Sequence, residues 1–306
     1  MRKEIIVGSR GSKLALIQTG VVVNKLKVNN PGIDVSIRRI VTGGDRNRHI
    51  PLEEMAGIGF FIKELEEALL EKSIDFAVHS LKDVPIEIPP ELRLAVITER
   101  IDPRDVLVSR GEKFSELATG SKIGTGSLRR AVQISSFRQD LTVSGIRGNV
   151  DTRMRKVTSG EYDGVILAAA ALHRLGWEHK ITEYLSTEYF LPAVGQGALA
   201  IESRAADTEL AGILAPLNHE PTWQSVTAER AFLLALGGGC RAPIAALGMV
   251  NGTTLQLEGM VADNKKNRIL RSSDTGSTSE PENLGLQLAK KLFGMGAEEL
   301  LAEVGK

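Results

Sequence analysis

The sequence predicts an α/β protein with two successive α/β series and a smaller α+β domain after them. Over roughly the first 190 residues, short β-rich runs alternate with helical patterns. Such alternation is typical of a mainly parallel sheet with helices on its faces. From about Thr222 a long helix pattern is followed by β-rich runs around Asn251-Gly252, a dipeptide that favours a hairpin turn.

The first series contains four strand patterns and two helix patterns. The first helix pattern begins after Ser12, a favourable N-cap residue, and ends at Asn30-Pro31-Gly32. The predicted strands cover 4–9, 33–41, 75–80 and 92–98, and the helices cover 12–28 and 59–73.

A second series follows the polar stretch 98–104, which we interpret as a crossover between lobes. Its strands are predicted at 121–127, 141–148 and 162–172, and its helices at 127–138 and 149–160. The turn-rich stretch 190–198 is the predicted return crossover. Two crossings between the same lobes predict a hinged cleft, a common place for a ligand.

The C-terminal part is predicted as a helix, three strands and a last helix. The first helix covers 222–236 and leads into a glycine-rich loop with Cys240. The strands are predicted at 243–250, 254–262 and 268–273, with a helix from about Glu280.

Composition excludes several classes of protein. The 306 residues are 42% hydrophobic and 25% charged, and 38 Lys+Arg balance 38 Asp+Glu. A zero net charge argues against a globally basic nucleic-acid binder. The single cysteine excludes an intrachain disulfide and fits a reducing compartment. The longest apolar run, 165–172, is too short to span a bilayer, and the N-terminus lacks a signal-peptide pattern, so we expect a soluble, cytoplasmic protein.

The neutral net charge hides a basic segment at 122–156, with eight Lys/Arg and two acids, a formal +6. Its arginines cluster at two strand-to-helix turns, where ligands bind in open α/β sheets. Helix N-termini there, with Thr125, Ser127 and Asn149, favour an anion. Arg10 and Ser12 occupy a similar turn in "GSRGS". The alternative is that Ser127 and Asn149 are only N-caps and that the arginines form a solvated face.

The basic segment lacks the motifs that are typical of nucleotide, metal and nucleic-acid sites, which limits the kinds of anion that it is expected to bind. Its glycines fit neither the dinucleotide nor the P-loop spacing. The five histidines show no metal-ligand spacing, so we expect no metal site. Only Phe137 is aromatic within 122–156, which disfavours nucleic acid. Small polycarboxylates fit better.

The stretch "VHSLKDVP" also follows a predicted strand, which places Ser80, Lys82 and Asp83 at its carboxyl end. Lys82 can neutralise an anion, and Asp83 can exchange a proton or stabilise a cation. The alternative is a solvated surface turn. A carboxylate beside an anion site repels the anion. The presence of Asp83 there therefore indicates that the carboxylate takes part in a reaction.

Five motifs in order, "VHSLKDVP", "GTGSLRR", "GIRGNVDTR", "LPAVGQGALAIE" and "GGGCRAP", together resemble the porphobilinogen deaminase (hydroxymethylbilane synthase) family. The resemblance implies two lobes like those of periplasmic binding proteins, joined by two hinge crossovers, and a third domain that carries the cysteine. The implied bounds are 1–98 with 195–218 for lobe 1, 99–194 for lobe 2, and 219–306 for the C-terminal cofactor-bearing domain.

The resemblance also implies the chemistry. Cys240 would carry a dipyrromethane cofactor through a thioether, and Asp83 would be the catalytic aspartate. Four porphobilinogen molecules would lose ammonia in turn and join this primer, and hydrolysis would release hydroxymethylbilane. A monomer with a small-molecule substrate, and without nucleic acid or membrane as partner, is implied. The implied cofactor-binding residues are Ser80, Lys82, Thr125, Ser127, Arg129 and Arg130. The implied substrate-binding residues are Arg10, Ser12, Gln18, Arg147, Asn149, Arg153, Arg174 and Gln196.

The chain departs from the family pattern at two positions. Ile58 stands where a lysine is expected, and Gly126 is smaller than the usual residue. Arg46 and Arg48 lie in the same segment as Ile58. Two other functions remain: a non-catalytic polycarboxylate-binding protein and a nucleic-acid-binding regulator. Asp83 and the "GGGCRAP" loop favour the deaminase, since a simple binder needs neither.

Overall fold

The computed structural model describes residues 2–43, 62–237, 243–263 and 268–302. The chain forms two compact units. The first contains Met1–Ile101 and Ala198–Trp223, and the second contains Asp102–Gly197 and Gln224–Lys306. The first and second crossings of the chain between units therefore lie within the stretches interpreted as crossovers, 98–104 and 190–198.

The described strands and helices are numbered in chain order. The strands are β1 Glu4–Arg10, β2 Asp34–Ile40, β3 Phe76–Ser80, β4 Leu92–Ile97, β5 Asp105–Ser109, β6 Lys122–Gly124, β7 Thr142–Ser144, β8 Gly164–Ala168, β9 Glu183–Tyr184, β10 Leu199–Arg204, β11 Ile244–Asn251, β12 Thr254–Ala262 and β13 Ile269–Ser277. The helices are α1 Lys13–Asn29, α2 Lys63–Leu70, α3 Leu128–Phe137, α4 Val150–Thr158, α5 Ala169–Leu175, α6 Thr208–Leu214, α7 Glu220–Ala235, α8 Pro281–Gly294 and α9 Ala297–Ala302.

The first unit is built on a five-stranded sheet in the order β2-β1-β3-β10-β4. Helices cover both of its faces. Phe76 and Val78 of β3 share an apolar cluster with Val22 of α1, while Ala77 between them packs with Leu65 of α2. Burial on both faces explains why Phe76, Ala77 and Val78 form an uninterrupted apolar run.

The second unit contains a sheet in the order β7-β6-β8-β5-β9. In both five-stranded sheets, two of the four strand pairings are parallel and two are antiparallel. The expectation of mainly parallel sheets is therefore wrong for half of the pairings. The antiparallel strands β5 and β10 each follow a crossing of the chain between units, and each enters its sheet in the opposite direction.

The C-terminal part of the second unit is a small sheet-and-helix domain. Its antiparallel sheet has the order β11-β12-β13, and Phe232, Leu257 and Leu288 lie in one buried cluster between this sheet and its helices. The predicted hairpin is confirmed, because Asn251 pairs with Thr254 and Gly252 takes a φ of 60°. This left-handed conformation favours glycine.

Three differences from the predicted elements have local causes. The stretch 162–172 contains strand β8 and the beginning of helix α5. Its apolar run continues from the strand into the helix, so the sequence pattern does not mark the boundary. Strand β5 begins at Asp105, directly after the stretch 98–104, and β10 begins at Leu199, directly after the stretch 190–198; neither strand is among those predicted. Helix α2 begins at Lys63, and 59–61 lie outside the described residues. No helix in the described ranges combines the length and apolar character that crossing a bilayer requires.

Candidate active site

In the first unit, the predicted site residues lie at one edge of the sheet. Strands β1 and β3 are parallel neighbours, so their carboxyl ends meet there. Arg10 ends β1, and Ser80 ends β3. A single 3-10 turn, Leu81–Asp83, follows β3 directly and carries Lys82 and Asp83.

Hydrogen bonds hold the end of β3 in place. The Gln18 side chain on α1 is buried and donates to the Ser80 hydroxyl at 2.9 Å. The Leu81 amide donates to the Ala198 carbonyl at 3.1 Å. Ser12 is the N-cap of α1, as predicted, and accepts from the Ala15 amide at 3.3 Å. The structure thus assembles the first-unit site residues at one edge: Arg10, Ser12, Gln18, Ser80, Lys82 and Asp83.

The Asp83 side chain is exposed. Among the described residues, none forms an ion pair or hydrogen bond with its carboxylate. Lys82 beside it is half-buried. An accessible carboxylate fixed at the end of a rigid strand can accept a proton or stabilise a developing positive charge. This geometry suits the acid–base role that the sequence predicted for Asp83.

In the second unit, the carboxyl ends of three parallel strands meet at another edge. Thr125 and Ser127 follow β6, and Arg147 and Asn149 follow β7. Arg174 lies on α5, which continues directly from β8. The Thr125 amide donates to the Ser144 carbonyl at 3.0 Å, which ties the ends of β6 and β7 together.

A buried charge cluster lies at the same edge of this sheet. Asp105, at the start of β5, is fully buried and contacts Arg129 at 2.8 Å and Arg130 at 2.7 Å. Burial alone would raise the pKa of Asp105, but the two guanidinium groups outweigh it and hold that pKa well below its usual range. Arg129 and Arg130 are only 5% and 6% exposed, so the solvated-face alternative is wrong for both.

Gln196 belongs to this cluster. Its side-chain amide donates to the Asp105 carboxylate at 2.8 Å and to the Pro103 carbonyl at 2.7 Å. The predicted substrate-binding residue therefore bonds the carboxylate between the two arginines. Two guanidinium groups and one carboxylate leave a formal charge of +1 in the cluster, which favours an anion nearby.

Several donors at this edge have no protein acceptor in the described part of the chain. The buried Nε of Arg130 has no hydrogen-bond partner there. Ser127 occupies the N-cap position of α3 but its hydroxyl makes no capping bond, whereas Asn149 caps α4 through the Thr152 amide at 2.9 Å. Asn149 is therefore a side-chain N-cap, whereas Ser127 occupies the N-cap position without a capping bond from its hydroxyl.

Three further arginines differ in how well they are neutralised. Burial lowers the pKa of Arg174 to about 10, and its guanidinium donates to the Gly197 carbonyl at 2.7 Å. Within the described residues, neither Arg174 nor Arg147 has a carboxylate partner. Arg153 donates from Nε to the Gly148 carbonyl at 2.8 Å. A desolvated guanidinium without a counterion is a strong site for a carboxylate.

The rest of the basic segment has structural partners. Arg138 pairs with Asp140 at 2.7 Å, and Lys156 pairs with Glu161 at 2.8 Å. The Lys122 ammonium lies 4.4 Å from the centre of the Tyr162 ring, a cation–π distance. The formal +6 of residues 122–156 therefore overstates the charge available to a ligand.

Sequence reasoning missed Asp105 and Gln133. Gln133 is fully buried and bridges the Leu191 amide and carbonyl, at 2.7 and 3.2 Å. A signal existed for Asp105, because it is an acid at the head of the apolar run "VLV". Gln133 lies inside a helix pattern, and its sequence context does not distinguish it from a surface glutamine.

The predicted cofactor-attachment residue, Cys240, lies outside the described residues, as do Ile58, Arg46 and Arg48. The described chain ends at Gly237 after α7 and resumes at Pro243 before β11. Across the described ranges there is no group of three or more His, Cys, Asp or Glu arranged to hold a metal ion.

Known proteins resemble the chain along nearly its whole length. The family model "Porphobilinogen deaminase, dipyromethane cofactor binding domain" matches residues 5–212, and "Porphobilinogen deaminase, C-terminal domain" matches residues 223–294. The porphobilinogen deaminase of Geobacter metallireducens is 49% identical over 302 residues, covering 99% of this chain and 95% of that protein. That of Roseiflexus castenholzii is 46% identical over 303 residues, covering 99% and 100%.

Likeness to solved structures is weaker. The periplasmic VFT2 domain of Bordetella pertussis BvgS is 16% identical, with a TM-score of 0.41, covering 70% of this chain and 86% of that one. No conclusion about function rests on it. The two family models and the relatives at 46–49% identity do decide the family. The chain belongs to the porphobilinogen deaminase family.

Proposed function

We propose that this transferase couples four porphobilinogen molecules head to tail onto a dipyrromethane carried on Cys240 and then releases hydroxymethylbilane by hydrolysis. Family membership makes the chain an enzyme of tetrapyrrole synthesis with a dipyrromethane cofactor and a small-molecule substrate. The mechanism, the released product and the residue roles are the proposed part. The observation that carries them is the exposed Asp83 carboxylate at the end of β3, which has no partner among the described residues.

The residues of the second unit fit a carboxylate-bearing cofactor. The Asp105 cluster keeps a formal +1, and the Nε of Arg130 has no acceptor among the described residues. The Ser127 hydroxyl is likewise left without a capping role. We therefore assign Thr125, Ser127, Arg129 and Arg130 to the cofactor's acetate and propionate groups. When bound, the dipyrromethane supplies the free pyrrole α-carbon to which the first substrate is joined.

Asp83 performs the proton chemistry in this proposal. Each coupling breaks the bond between the aminomethyl carbon and its nitrogen, which leaves as ammonia. A carbon–carbon bond forms and one proton is lost from the α-carbon. The Asp83 carboxylate accepts a hydrogen bond from the pyrrole N–H of the substrate and stabilises positive charge as ammonia departs. It then assists removal of the proton.

Lys82 and the remaining cations hold carboxylates. Each added pyrrole brings two, so the negative charge of the chain rises with every round. Arg174 and Arg147, which lack a carboxylate partner among the described residues, are assigned to the substrate or the lengthening chain. Arg10, Ser12, Gln18, Asn149, Arg153 and Gln196 are assigned to the same task. Ser80 and Lys82 are assigned to the cofactor.

Replacement of the Asp83 carboxylate by an amide tests the proposal. Asp83→Asn keeps the size of the side chain but removes its charge and basicity. We expect the variant to bind porphobilinogen and to turn it over at a small fraction of the wild-type rate, since acid–base catalysis contributes roughly 100- to 10,000-fold. Ammonia release and bilane formation, measured separately, give the turnover.

Asp34→Asn is the matched control. Asp34 is exposed and opens β2, at the amino edge of the same sheet. This variant should keep wild-type turnover. Near-normal turnover by Asp83→Asn would remove Asp83 from its assigned role. Porphobilinogen binding without turnover by the wild-type protein would support the non-catalytic binding protein instead.

A further inference from the structure

A buried pair of hydrogen-bonded side chains, His79 and Glu202, lies next to the proposed catalytic turn and has no part in the chemistry described above. His79 Nε2 and Glu202 Oε2 are 3.0 Å apart, and their side chains are 3% and 0% exposed. The second carboxylate oxygen of Glu202 is buried without a hydrogen-bond partner in the described part of the chain. Breaking such a pair is costly, but a well-packed apolar pair is often as stable or more stable. Stability alone therefore does not explain it.

The pair joins two strands that are far apart in the sequence. His79 lies on β3 and Glu202 on β10, 123 residues later. In the antiparallel register His79 faces Ala200 and Ala77 faces Glu202, so the pair is diagonal. Ala77 packs in the cluster on the α2 face, and His79, two residues on, lies on the same face.

Apolar packing does not by itself specify this register. Both strands are buried on both faces, and a slip of two residues keeps every side chain on its original face. Such a slip moves one strand by about 7 Å along the other. A slip in one direction puts His79 opposite Ala198 and Glu202 opposite Asp75, which separates the bonded pair and brings two carboxylates together. A slip in the other direction puts His79 directly opposite Glu202. The bond therefore opposes the first slip, and in the observed register it joins the two strands diagonally at 3.0 Å.

The register of β3 sets the position of Asp83. Ser80 pairs with Leu199 in the same ladder, and the Leu81 amide donates to Ala198 immediately before the 3-10 turn. We propose that His79 and Glu202 are positioning residues, which lock β3 against β10 and so fix the Asp83 carboxylate. This inference rests on the proposed function of Asp83.

One further titratable group faces the pair, from α2. Glu66 is half-buried, and its pKa is raised by burial first and by the charge of Glu202 second. The His79 imidazole acts in the opposite direction on Glu66. The His79 imidazole therefore lies near the carboxyl groups of both Glu202 and Glu66 in a largely apolar layer.

The double variant His79→Leu/Glu202→Leu tests the proposal, because it removes the polar bond without leaving a buried charge. We expect it to fold with a thermal midpoint close to wild type. Its kcat should fall at least about tenfold per cofactor-loaded molecule, since an error of 1 Å in position can cost roughly 100-fold. The KM for porphobilinogen should stay within about threefold, because the substrate carboxylates are assigned to other residues.

Two conservative variants should rescue the rate. The amide of Gln at position 79 can still donate to Glu202, and Gln at position 202 can still accept from His79. His79→Gln and Glu202→Gln should therefore each keep kcat within about threefold of wild type. If the leucine double variant does not fold, these two variants decide the matter. A tenfold loss in both would overturn the proposal, as would a folded leucine variant with normal kcat.

Asp75→Asn is a control at the opposite end of the same strands. Asp75 accepts hydrogen bonds from Arg2, from Arg204 and from the Ile6 amide. Its replacement should lower the thermal midpoint and leave kcat unchanged. If Asp75→Asn lowers kcat as much as the leucine double variant does, the loss of rate follows from destabilisation of the whole sheet. The positioning role of His79 and Glu202 is then wrong. Asp83→Asn is assayed alongside, so that normal turnover there identifies a failure of the proposed function instead.

A spectroscopic measurement needs no turnover. In ¹⁵N-labelled wild-type protein, the His79 imidazole N–H should exchange slowly with solvent and resonate downfield. Glu202→Gln should shift this resonance upfield, because a neutral acceptor makes a weaker bond. A rapidly exchanging His79 imidazole in the wild-type protein would contradict the inference directly.

Discussion

Removal of one buried carboxylate, by Asp105→Asn, is the perturbation whose size follows most directly from the structure. Asp105 is fully buried between Arg129 and Arg130, which are themselves 5% and 6% exposed. The substitution leaves two guanidinium groups buried without a counterion. Loss of one partner of a buried ion pair costs about 3 to 5 kcal/mol.

The structure places the expected cost near the lower limit. The asparagine oxygen can still accept from Arg130 or Gln196, so only the charge is lost and part of the hydrogen bonding remains. We expect the free energy of unfolding to fall by about 3 kcal/mol. This corresponds to a decrease of roughly 6 to 12 °C in the thermal midpoint.

The assay is urea unfolding of wild type, Asp105→Asn and Asp163→Asn. Asp163 pairs with Arg110 in the same unit, but both side chains are more than a third exposed, so its loss should cost less than about 1 kcal/mol. Arg130→Met should destabilise Asp105→Asn less than it destabilises wild type, because the interaction is already absent. An unfolding free energy for Asp105→Asn within about 1 kcal/mol of wild type would refute the reasoning.

Three other predictions concern single side chains. Arg174→Met removes a desolvated charge and, within the described part of the chain, one hydrogen bond, to Gly197. The ligand-free protein should therefore lose less than about 1 kcal/mol in urea unfolding while KM for porphobilinogen rises; an unchanged KM would contradict the role. Gly285→Ala places a Cβ against the Ala228 carbonyl oxygen of α7 and should cost about 1 to 3 kcal/mol, whereas a Cβ at Gly294 on the same helix meets nothing within 4 Å and should not destabilise; equal effects of the two substitutions in thermal unfolding would refute the close packing. The Arg138 hydrogen bond lowers the pKa of Asp140 to about 2, so the stability from this pair is present above the ordinary pKa and is lost as pH falls from about 4 towards 2; an NMR titration of the Asp140 carboxyl should show that pKa rising towards its ordinary value in Arg138→Gln.

The sequence predicted the polar edges better than it predicted the sheets around them. Ser80, Lys82 and Asp83 lie at the carboxyl end of β3 because the apolar run before them is a strand, and strand and motif are both visible in the sequence. The direction of β10 was not visible, since a strand that follows a crossover can enter a sheet in either direction. Local patterns carry no information on that choice.

The partners of buried charged residues could not be predicted from the sequence either. The motif "GTGSLRR" marks Arg129 and Arg130 as candidate ligand-binding residues, but their burial depends on Asp105, which is about 25 residues away in the chain. The His79–Glu202 pair spans 123 residues. Both contacts exist only after the sheets have formed. A pairing of this kind is a tertiary property, and residue type and local spacing do not specify it.

The proposed function requires covalent attachment of the dipyrromethane to Cys240, and peptide mapping by mass spectrometry tests this attachment. Purified protein is incubated with porphobilinogen and digested, alongside Cys240→Ala treated in the same way. We expect an added mass equal to two linked, carboxylate-bearing pyrroles or an extended chain on the peptide that contains Cys240, and none on the variant. A wild-type digest with no added mass after incubation, or with the added mass on a different peptide, would contradict attachment at Cys240.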